Sequence, residues 1–383
     1  MAGPSPTLEA EWSLLRAACS ANPQESPRSS INRAIRWKSL FALAEHHGAL
    51  PLLYQALSTT EGVVPAEEMH SLTGSYQTNL HKVLFLSREF IRIADCLDAI
   101  GLQFLPYKGL ALAEAVYGDI ALRQSGDIDL LIRQQDLPRI REAVLDLGYA
   151  PHSSLSEDEE QAYLKSGYEC AFDSAAGRNL LEVQWSIQPR FYAVDYDMEG
   201  LFKRAVPSTV AGRRVKTPSL EDLFIVLSLH AAKHVWGRLI WLCDLARIMN
   251  LPGLNWNWIG SEMTKLGVVR IVRVTLLLTH RLLGAVIPAA AENSLPQDSK
   301  SVVLAEEIER QIASQSDFNV ESFDYFRLML RLREQPTDRL RFLARLAFTP
   351  GPGEWSAIRL PRPLFPLYRL IRISRLAARV VGG

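Results

Sequence analysis

The chain has 383 residues with 42 Lys and Arg against 42 Asp and Glu, so its formal net charge is zero. That balance offers no global electrostatic argument for nucleic-acid binding. Hydrophobic residues make up 48% and charged residues 22% of the chain, which is typical of a globular protein of two or three packed units and excludes a disordered one.

The first hundred residues are predicted to be helical. Apolar residues recur at helical spacing from Trp37 to Ala44, the pattern stops near Gly48, and a second helix restarts directly afterwards. A longer apolar stripe covers about 76–100. We expect an N-terminal helical region over 1–100.

The pattern changes between 101 and 200, where strands and helices are mixed. The predicted strands are "LQFLP", "DIDLLI", "YECAFDS" and "NLLEVQWSI", and the predicted helices are "LALAEAVYG" and "DLPRIREAVLDLGY". The last strand alternates apolar and polar residues, which places Glu182 on its polar face. The fold class predicted is therefore α+β, with a small mixed β-sheet core over 101–200 between helical regions.

The remainder, 201–383, is predicted to be a C-terminal helical region. Thr217 and Pro218 suit the start of one helix that continues to about Met249. Loops are expected at 288–300 and over the Pro-rich stretch 351–370.

The cysteines and the termini suggest a cytoplasmic protein. The four cysteines form no C-x-x-C pair and are expected to be free thiols: Cys19, Cys96, Cys170 and Cys243. The N-terminus shows no signal-peptide pattern. Three arginines and a histidine interrupt the apolar window 268–287, which favours a buried helix over a membrane span.

The motif that suggests chemistry is "GDIDLLI". Asp127 and Asp129 share one face of the predicted strand, since side chains at i and i+2 of a strand point the same way. If the Glu182 strand is a neighbour, three carboxylates converge and repel one another unless a cation lies between them. Mg²⁺ bound to a nucleoside triphosphate fits such a group of three carboxylates. A chance D-x-D and a solvated Glu182 explain the same residues without any site.

Upstream, Lys108 and Gly109 lie where a strand turns into a helix. A glycine there lets backbone N–H groups approach a phosphate, and a lysine adds a positive charge. Arg123, four residues before Asp127, is a second candidate phosphate ligand. A lysine followed by a glycine at a turn is common in loops without any such role.

The order of these motifs from about Trp37 to Tyr368, including "YKGLAL", "GDIDLLI", "LLEVQW" and "HAAKHVWGRLIWLCDLARI", resembles the uncharacterised nucleotidyltransferase-like family, a distant branch of the polymerase-β-like nucleotidyltransferase superfamily. The resemblance implies transfer of a nucleoside monophosphate from an NTP, with ATP favoured, in the presence of two Mg²⁺ ions. It assigns Asp127 and Asp129 as metal ligands and Glu182 as the third carboxylate.

Two features depart from the superfamily's pattern. Gly109 is followed by Leu110 where Gly-Ser or Gly-Gly is usual, and the spacing to Asp127 is long. The acceptor is expected to lie against the helical regions and could be a small molecule, a peptide or a protein. A non-catalytic nucleotide-binding or interaction module with the same fold is the alternative.

A histidine pair and a basic tail remain. His230 and His234 lie one helical turn apart, a spacing that can bind zinc, but Ala231 replaces the general-base glutamate of zinc hydrolases. Buried histidines are the simpler interpretation; a nucleotide pocket that also uses Lys233 and Arg238 is the other. No acidic residue follows Glu354, so the basic end could contact an anionic membrane or a partner, or pack on its own domain.

Overall fold

A computed structural model describes residues 8–21, 35–60, 62–153, 155–313 and 322–381. The chain is α+β, with helices on both sides of a small mixed sheet, which confirms the predicted fold class. The four cysteines are free thiols, as expected. None of the described helices is long and apolar enough to cross a bilayer.

In the described part of the N-terminal region there are four helices: α1 (Glu9–Cys19), α2 (Trp37–His46), α3 (Leu50–Ser58) and α4 (Ala66–Ala99). The predicted break between α2 and α3 falls at Gly48, which adopts a positive φ of 66°. Helix α4 begins at Ala66, not near residue 76, because Pro65 precedes it and Glu67 and Glu68 stabilise the helix dipole in the first turn.

Five strands form the main sheet: β1 (Phe104–Pro106), β2 (Ile128–Ile132), β3 (Ala150–Pro151), β4 (Glu169–Ser174) and β5 (Gly177–Gln184). Their order is β1-β2-β5-β4-β3; β2 and β5 are parallel and the other pairs are antiparallel. The connections carry α5 (Gly109–Tyr117), α6 (Leu137–Asp146) and α7 (Glu157–Ser166). The register sets Asp129 directly beside Glu182.

Strand β2 separates two apolar cores. Ile128, Leu130 and Ile132 belong to the core that the sheet forms with α4 and α6. Leu131 belongs to a second core, which the N- and C-terminal helical regions share. Because Asp129 is on the Leu131 side, the two aspartates face the helical regions and not the core of the sheet.

After the sheet the described chain is helical apart from one hairpin. The elements are α8 (Met198–Arg204), β6 (Val206–Val210), β7 (Arg213–Thr217), α9 (Leu220–Lys233), α10 (Leu239–Asn250), α11 (Trp256–Leu266), α12 (Val269–Leu283), α13 (Ala289–Ser294), α14 (Ser299–Ala313), α15 (Phe323–Arg331), α16 (Pro336–Phe348), α17 (Pro352–Ala357) and α18 (Tyr368–Val381).

Three sequence predictions for this region were wrong. Ser219, not Thr217, caps α9, since its hydroxyl accepts the backbone N–H of Asp222 and β7 occupies Thr217. The two stretches expected to be loops contain the short helices α13 and α17. The single helix predicted after Pro218 is two helices, α9 and α10.

The break between α9 and α10 contains two non-glycine residues with left-handed backbones. Val235 has a φ of 53° and Trp236 a φ of 50°, a conformation that is strained for both residue types. The turn is fixed by the fully buried indole of Trp236, whose Nε1–H donates to Thr275 Oγ1 at 2.9 Å. It holds Lys233 and His234 at the end of α9.

Candidate active site

A polar cleft of about 520 Å³ opens where β2 and β5 face α4, α9 and α10. The structure brings all the side chains singled out from the sequence to this cleft. They are Lys108, Gly109, Arg123, Asp127, Asp129, Glu182, His230, Lys233, His234 and Arg238. Residues from all three predicted regions therefore line one cavity.

The carboxylates lie at its base. Asp127 immediately precedes β2, Asp129 is on β2, and Glu182 is the cross-strand neighbour of Asp129 on β5. Burial and the charge of Asp129 raise the pKa of Asp127 to about 6. Burial and the charges of Asp129, Glu169 and Asp127 raise the pKa of Glu182 to about 8. The protein alone leaves this corner with more negative charge than it compensates.

Glu169 and Gln184 add a fourth carboxylate and an amide to the floor of the cleft, and the sequence analysis missed both. Tyr107 donates its hydroxyl to Gln184 Oε1, which fixes the Gln184 amide. Its Nε2 then donates to Glu169 at 3.2 Å, Glu182 at 3.3 Å and Asp129 at 3.4 Å. Alternation in β4 could have placed Glu169 on the face of Glu182, because Glu169 pairs with Gln184 in register.

Lys108 and Gly109 form one wall at the start of α5. The Lys108 ammonium lies 3.2 Å from Asp129 Oδ1; burial opposes its charge, but Asp129 and Tyr107 raise its pKa. Gly109 has a φ of 51°, and a Cβ there would lie 3.1 Å from the carbonyl oxygen of Asp127. The glycine thus allows the helix N-terminus to approach the strand that carries the aspartates.

Ser125 is a further cleft residue that the sequence analysis missed. Its side chain is 4% exposed, and its hydroxyl has no hydrogen-bond partner among the described residues. A Cβ on Gly109 would lie 3.8 Å from that hydroxyl. A serine beside the glycine of α5 is therefore supplied by the loop before β2, although none follows Gly109 in sequence.

Arg123 is held by a residue behind the cleft. Its Nε and one terminal nitrogen bind both carboxylate oxygens of Asp244 at 3.0 to 3.2 Å, and Tyr117 also donates to Asp244. Burial opposes the charge of Arg123, but Asp244 raises its pKa. Asp244 thus orients Arg123, and the role of Arg123 as a phosphate ligand stays a prediction.

The histidines lie against Trp241 on the opposite wall. The ring centroids of His230 and His234 are 4.8 Å apart, and each is within 5.3 Å of the Trp241 ring. Burial and nearby cations lower the pKa of both, that of His234 to about 3, so both rings are neutral at pH 7. Trp241 lines the cleft, whereas Trp236 is fully buried in the core.

Lys233 closes the far end of the cleft. Its ammonium donates to the Tyr168 hydroxyl at 2.8 Å and lies 4.6 Å from the centre of that ring. Burial lowers the pKa of Lys233 to about 8, which nearby Glu169 partly opposes.

The donor set fits a hard divalent cation. Carboxylate oxygens are the ligands Mg²⁺ prefers, and a cation between Asp127 and Glu182 would favour their ionised forms, which burial and their mutual repulsion disfavour. Within the described ranges no three His, Cys, Asp or Glu side chains are arranged to hold a metal by themselves. That is compatible with Mg²⁺, which usually takes one or two carboxylates and completes its shell with phosphate oxygens and water.

A mixed sheet with aspartates on one strand, a glutamate on its parallel neighbour and a glycine-led helix beside them is the arrangement implied by a nucleotidyltransferase fold. The chain belongs to the uncharacterised nucleotidyltransferase family, whose family model matches residues 33–284. The match covers the whole cleft and ends before the C-terminal helices. Comparison with curated proteins and with solved structures gives no match.

Proposed function

We propose that the protein is a Mg²⁺-dependent nucleotidyltransferase that moves a nucleoside monophosphate from an NTP, ATP in the first instance, to a hydroxyl of an acceptor. The observation that carries the proposal is the pairing of Asp129 with Glu182 on parallel strands, with Asp127 one residue before β2 and all three lining one cleft. A cluster of this kind is costly for the fold unless a cation and a triphosphate use it.

Each group in the cleft has a role in that reaction. Asp127, Asp129 and Glu182 would hold Mg²⁺, which neutralises the triphosphate and favours departure of pyrophosphate. The N-terminus of α5 and the Ser125 hydroxyl offer donors to phosphate oxygens. Glu182, once its carboxylate is ionised beside the bound cation, can accept the proton of the acceptor hydroxyl as that oxygen attacks the α-phosphorus.

A pair of isosteric variants tests the assignment. Asp127→Asn should leave the free energy of unfolding unchanged or slightly raised without Mg²⁺, since it removes repulsion. Asp129→Asn should lower it by about 1 kcal/mol, because Lys108 loses its partner. Mg²⁺ and a non-hydrolysable ATP analogue should raise the free energy of unfolding of the wild type, on the order of 2–3 kcal/mol at a hundredfold excess over Kd, and so raise its melting temperature. Both variants should abolish this thermal shift.

The matched control is Asp195→Asn, which alters an ion pair with Arg345 away from the cleft. It should retain the nucleotide shift. A shift retained by both cleft variants would show that the nucleotide binds elsewhere and would refute the proposal.

A non-catalytic nucleotide-binding module is the second candidate, and the Lys108–Asp129 ion pair favours it because the lysine partly neutralises a metal ligand. Incubation with α-labelled NTPs and candidate acceptors separates the two. Label transferred by the wild type and not by Glu182→Gln indicates an enzyme; nucleotide binding without transfer to any acceptor indicates the module.

A further inference from the structure

We propose that the acceptor binds in a second cavity, of about 370 Å³, that adjoins the cleft, and that it is a small aromatic molecule bearing a negative charge and a hydroxyl. The inference rests on the proposed function and specifies the acceptor for the same site. The cavity lies between α7, the end of α9 and the chain from Thr349 to Leu376.

The two cavities adjoin each other and share part of their lining. Tyr168, Lys233 and His234 line both of them. The hydrogen bond from Lys233 to the Tyr168 hydroxyl crosses the junction, and Tyr168 directly precedes Glu169 at the base of the cleft. We therefore place one end of a molecule in the second cavity next to Tyr168 and Lys233, the residues that the two cavities share.

The walls of the second cavity are aromatic. Tyr163, Phe191, Tyr192 and Phe326 line it, together with Tyr168. Ring faces of this kind contact a flat apolar group over a large area, and the volume lies in the range of small-molecule sites. The carboxylates proposed to hold Mg²⁺ do not line this cavity, so it does not suit the phosphates of a nucleotide. Its rings would instead contact much of the surface of an aromatic acceptor.

The roof of the cavity carries excess positive charge. Arg372 and Arg375 on α18 bind the two oxygens of one carboxylate, that of Glu354, at 3.2 and 2.8 Å. Gly353 permits the close approach of Arg375, since a Cβ there would lie 2.9 Å from the guanidinium. Among the described residues that line this cavity, Lys233, Arg372 and Arg375 are cationic and Glu354 is anionic, so a ligand with a carboxylate or a similar group is electrostatically matched.

This position is suited to the acceptor's part of the reaction. The acceptor oxygen attacks the α-phosphorus, the bond from that phosphorus to the bridging oxygen breaks, and pyrophosphate leaves with the electron pair. The hydroxyl proton passes to Glu182. A ring held against Tyr163 and Phe326 can direct its hydroxyl past Tyr168 toward Glu182, while its anionic group stays under α18.

Three probes with one ring and different charge test the inference on the wild type without nucleotide: 4-hydroxyphenylacetate, 4-hydroxyphenylacetamide and tyramine. Ligand-observed NMR should rank their affinities as anion, then neutral amide, then cation, with at least several-fold between the first and the last. Equal binding of all three, or none of the anion, would overturn the proposal.

Variants locate the binding site. Phe326→Ala removes an aromatic wall, and Arg375→Gln removes a cation while leaving Glu354 paired with Arg372. Both should weaken binding of 4-hydroxyphenylacetate several-fold. The controls are Phe323→Ala, on the same helix and 50% exposed, and Arg331→Gln, which is paired with Glu307; neither should change it. Equal effects from variants and controls would contradict the cavity assignment.

The readouts keep the two proposals apart. Asp129→Asn should lose the nucleotide shift and keep probe binding, whereas Phe326→Ala should lose probe binding and keep the nucleotide shift. A wild-type protein that binds the probes but not the nucleotide would refute the proposed function, and a wild-type protein that binds the nucleotide but not the probes would refute only the acceptor site.

A different observation supports a second inference: α18 turns two of its arginines, Arg372 and Arg375, inward and several apolar residues outward. Arg372 and Arg375 bind Glu354, while Leu367, Leu370 and Ile373 are 43%, 62% and 38% exposed. Residues three apart share a helix face, so these three form one apolar strip. We infer that this strip docks on an anionic membrane surface.

Charge identifies the occupant. The exposed residues around the strip include Arg359, Arg362 and Arg369, and the sequence has no acidic residue after Glu354. An apolar strip with exposed arginines near it matches the interface of an anionic bilayer, where the side chains reach the acyl boundary and the guanidinium groups contact headgroups.

Vesicle co-sedimentation tests this second inference. The full chain should bind phosphatidylcholine vesicles that contain phosphatidylglycerol, and not phosphatidylcholine alone. Leu370→Ser with Ile373→Ser should lose binding, while Val302→Ser with Val303→Ser, 43% and 52% exposed on α14, should retain it. No binding, or a dimer that the α18 variant dissociates in light scattering, would overturn the inference in favour of a second copy.

Discussion

At the residue scale, acidic and basic side chains line the cleft in equal numbers, but the two signs of charge lie in different parts of it. The carboxylates gather at the ends of β2 and β5, where Lys108 compensates Asp129 alone. The raised pKa values of Asp127 and Glu182 and the lowered pKa values of Lys233 and His234 share one cause, burial of groups that would otherwise be charged. Perturbed groups concentrated in one cavity are typical of a functional site.

The Ser125 hydroxyl provides a test of phosphate binding that is independent of the carboxylates. Because it makes no hydrogen bond to the described protein, Ser125→Ala should change the free energy of unfolding by less than about 0.5 kcal/mol. It should weaken binding of the Mg²⁺–ATP analogue by about tenfold, the worth of one hydrogen bond to a charged oxygen. Calorimetry measures the affinity and thermal melts the stability.

Ser87→Ala is the control, since Ser87 is also buried but bonds within α4, to the carbonyl of Val83. It should leave nucleotide affinity unchanged. A Ser125→Ala variant with normal affinity would remove this residue from the site.

His234 should make the fold sensitive to acid. Burial and the neighbouring Lys233 and Lys108 lower its pKa from 6.5 to about 3, so the unfolded chain binds a proton that the folded chain refuses. Its contribution to stability is therefore complete above pH 6.5 and is lost as the pH falls toward 3. His234→Gln should reduce the loss of stability between pH 7 and pH 5 by about 2 kcal/mol.

Urea unfolding across that pH range measures the effect. His70→Gln, at an exposed position on α4, is the control and should leave the slope unchanged. An unaltered slope in His234→Gln would show that His234 is not buried as a neutral ring.

At the element scale, the sequence predicted strands and helices well where hydrophobic periodicity is strong. β2, β5 and the Gly48 break follow from alternation and spacing alone, and so does the side of the sheet on which the aspartates lie. The helix break after His234 could not be predicted from the sequence, because Val235 and Trp236 have no local preference for a turn. The burial of Trp236 against distant residues causes the break. Likewise Lys82, on α4, reaches the cleft only through packing between distant elements.

The contact of α5 with β2 depends on Gly109. Gly109→Ala would need a positive φ and place a Cβ 3.1 Å from the carbonyl of Asp127. We expect a loss of about 1–2 kcal/mol of stability and a larger proportional loss of nucleotide affinity, since Asp127 must move. Chemical denaturation and calorimetry on the same variant measure both.

Gly74→Ala is the opposite case within α4. A Cβ there meets no atom within 4 Å, so alanine should raise stability by up to about 1 kcal/mol and leave nucleotide binding unchanged. If both alanine variants behaved alike, the close approach at Gly109 would not be what positions the aspartate.

At the scale of the whole molecule, the sheet is joined to the helical regions by polar contacts as well as by apolar packing. Arg123, in the loop before β2, binds Asp244 on α10, and Tyr117 on α5 donates to the same carboxylate. Leu105 and Leu131 of the sheet belong to the core that the N- and C-terminal helices share. We therefore expect the three regions to unfold together, although the sequence divides them by composition.

Asp244 is the residue on which that coupling is most easily measured. Asp244→Asn leaves the guanidinium of Arg123 buried with an uncharged partner, which should lower the free energy of unfolding by about 3 kcal/mol in a single cooperative transition. The double variant Arg123→Met with Asp244→Leu removes both charges and should recover much of that loss. Asp195→Asn, from an exposed pair, should cost no more than about 1 kcal/mol. Circular dichroism and tryptophan fluorescence, followed together in urea, measure the transition. Unfolding of the Asp244 variant in two separate steps would contradict the coupling of the three regions.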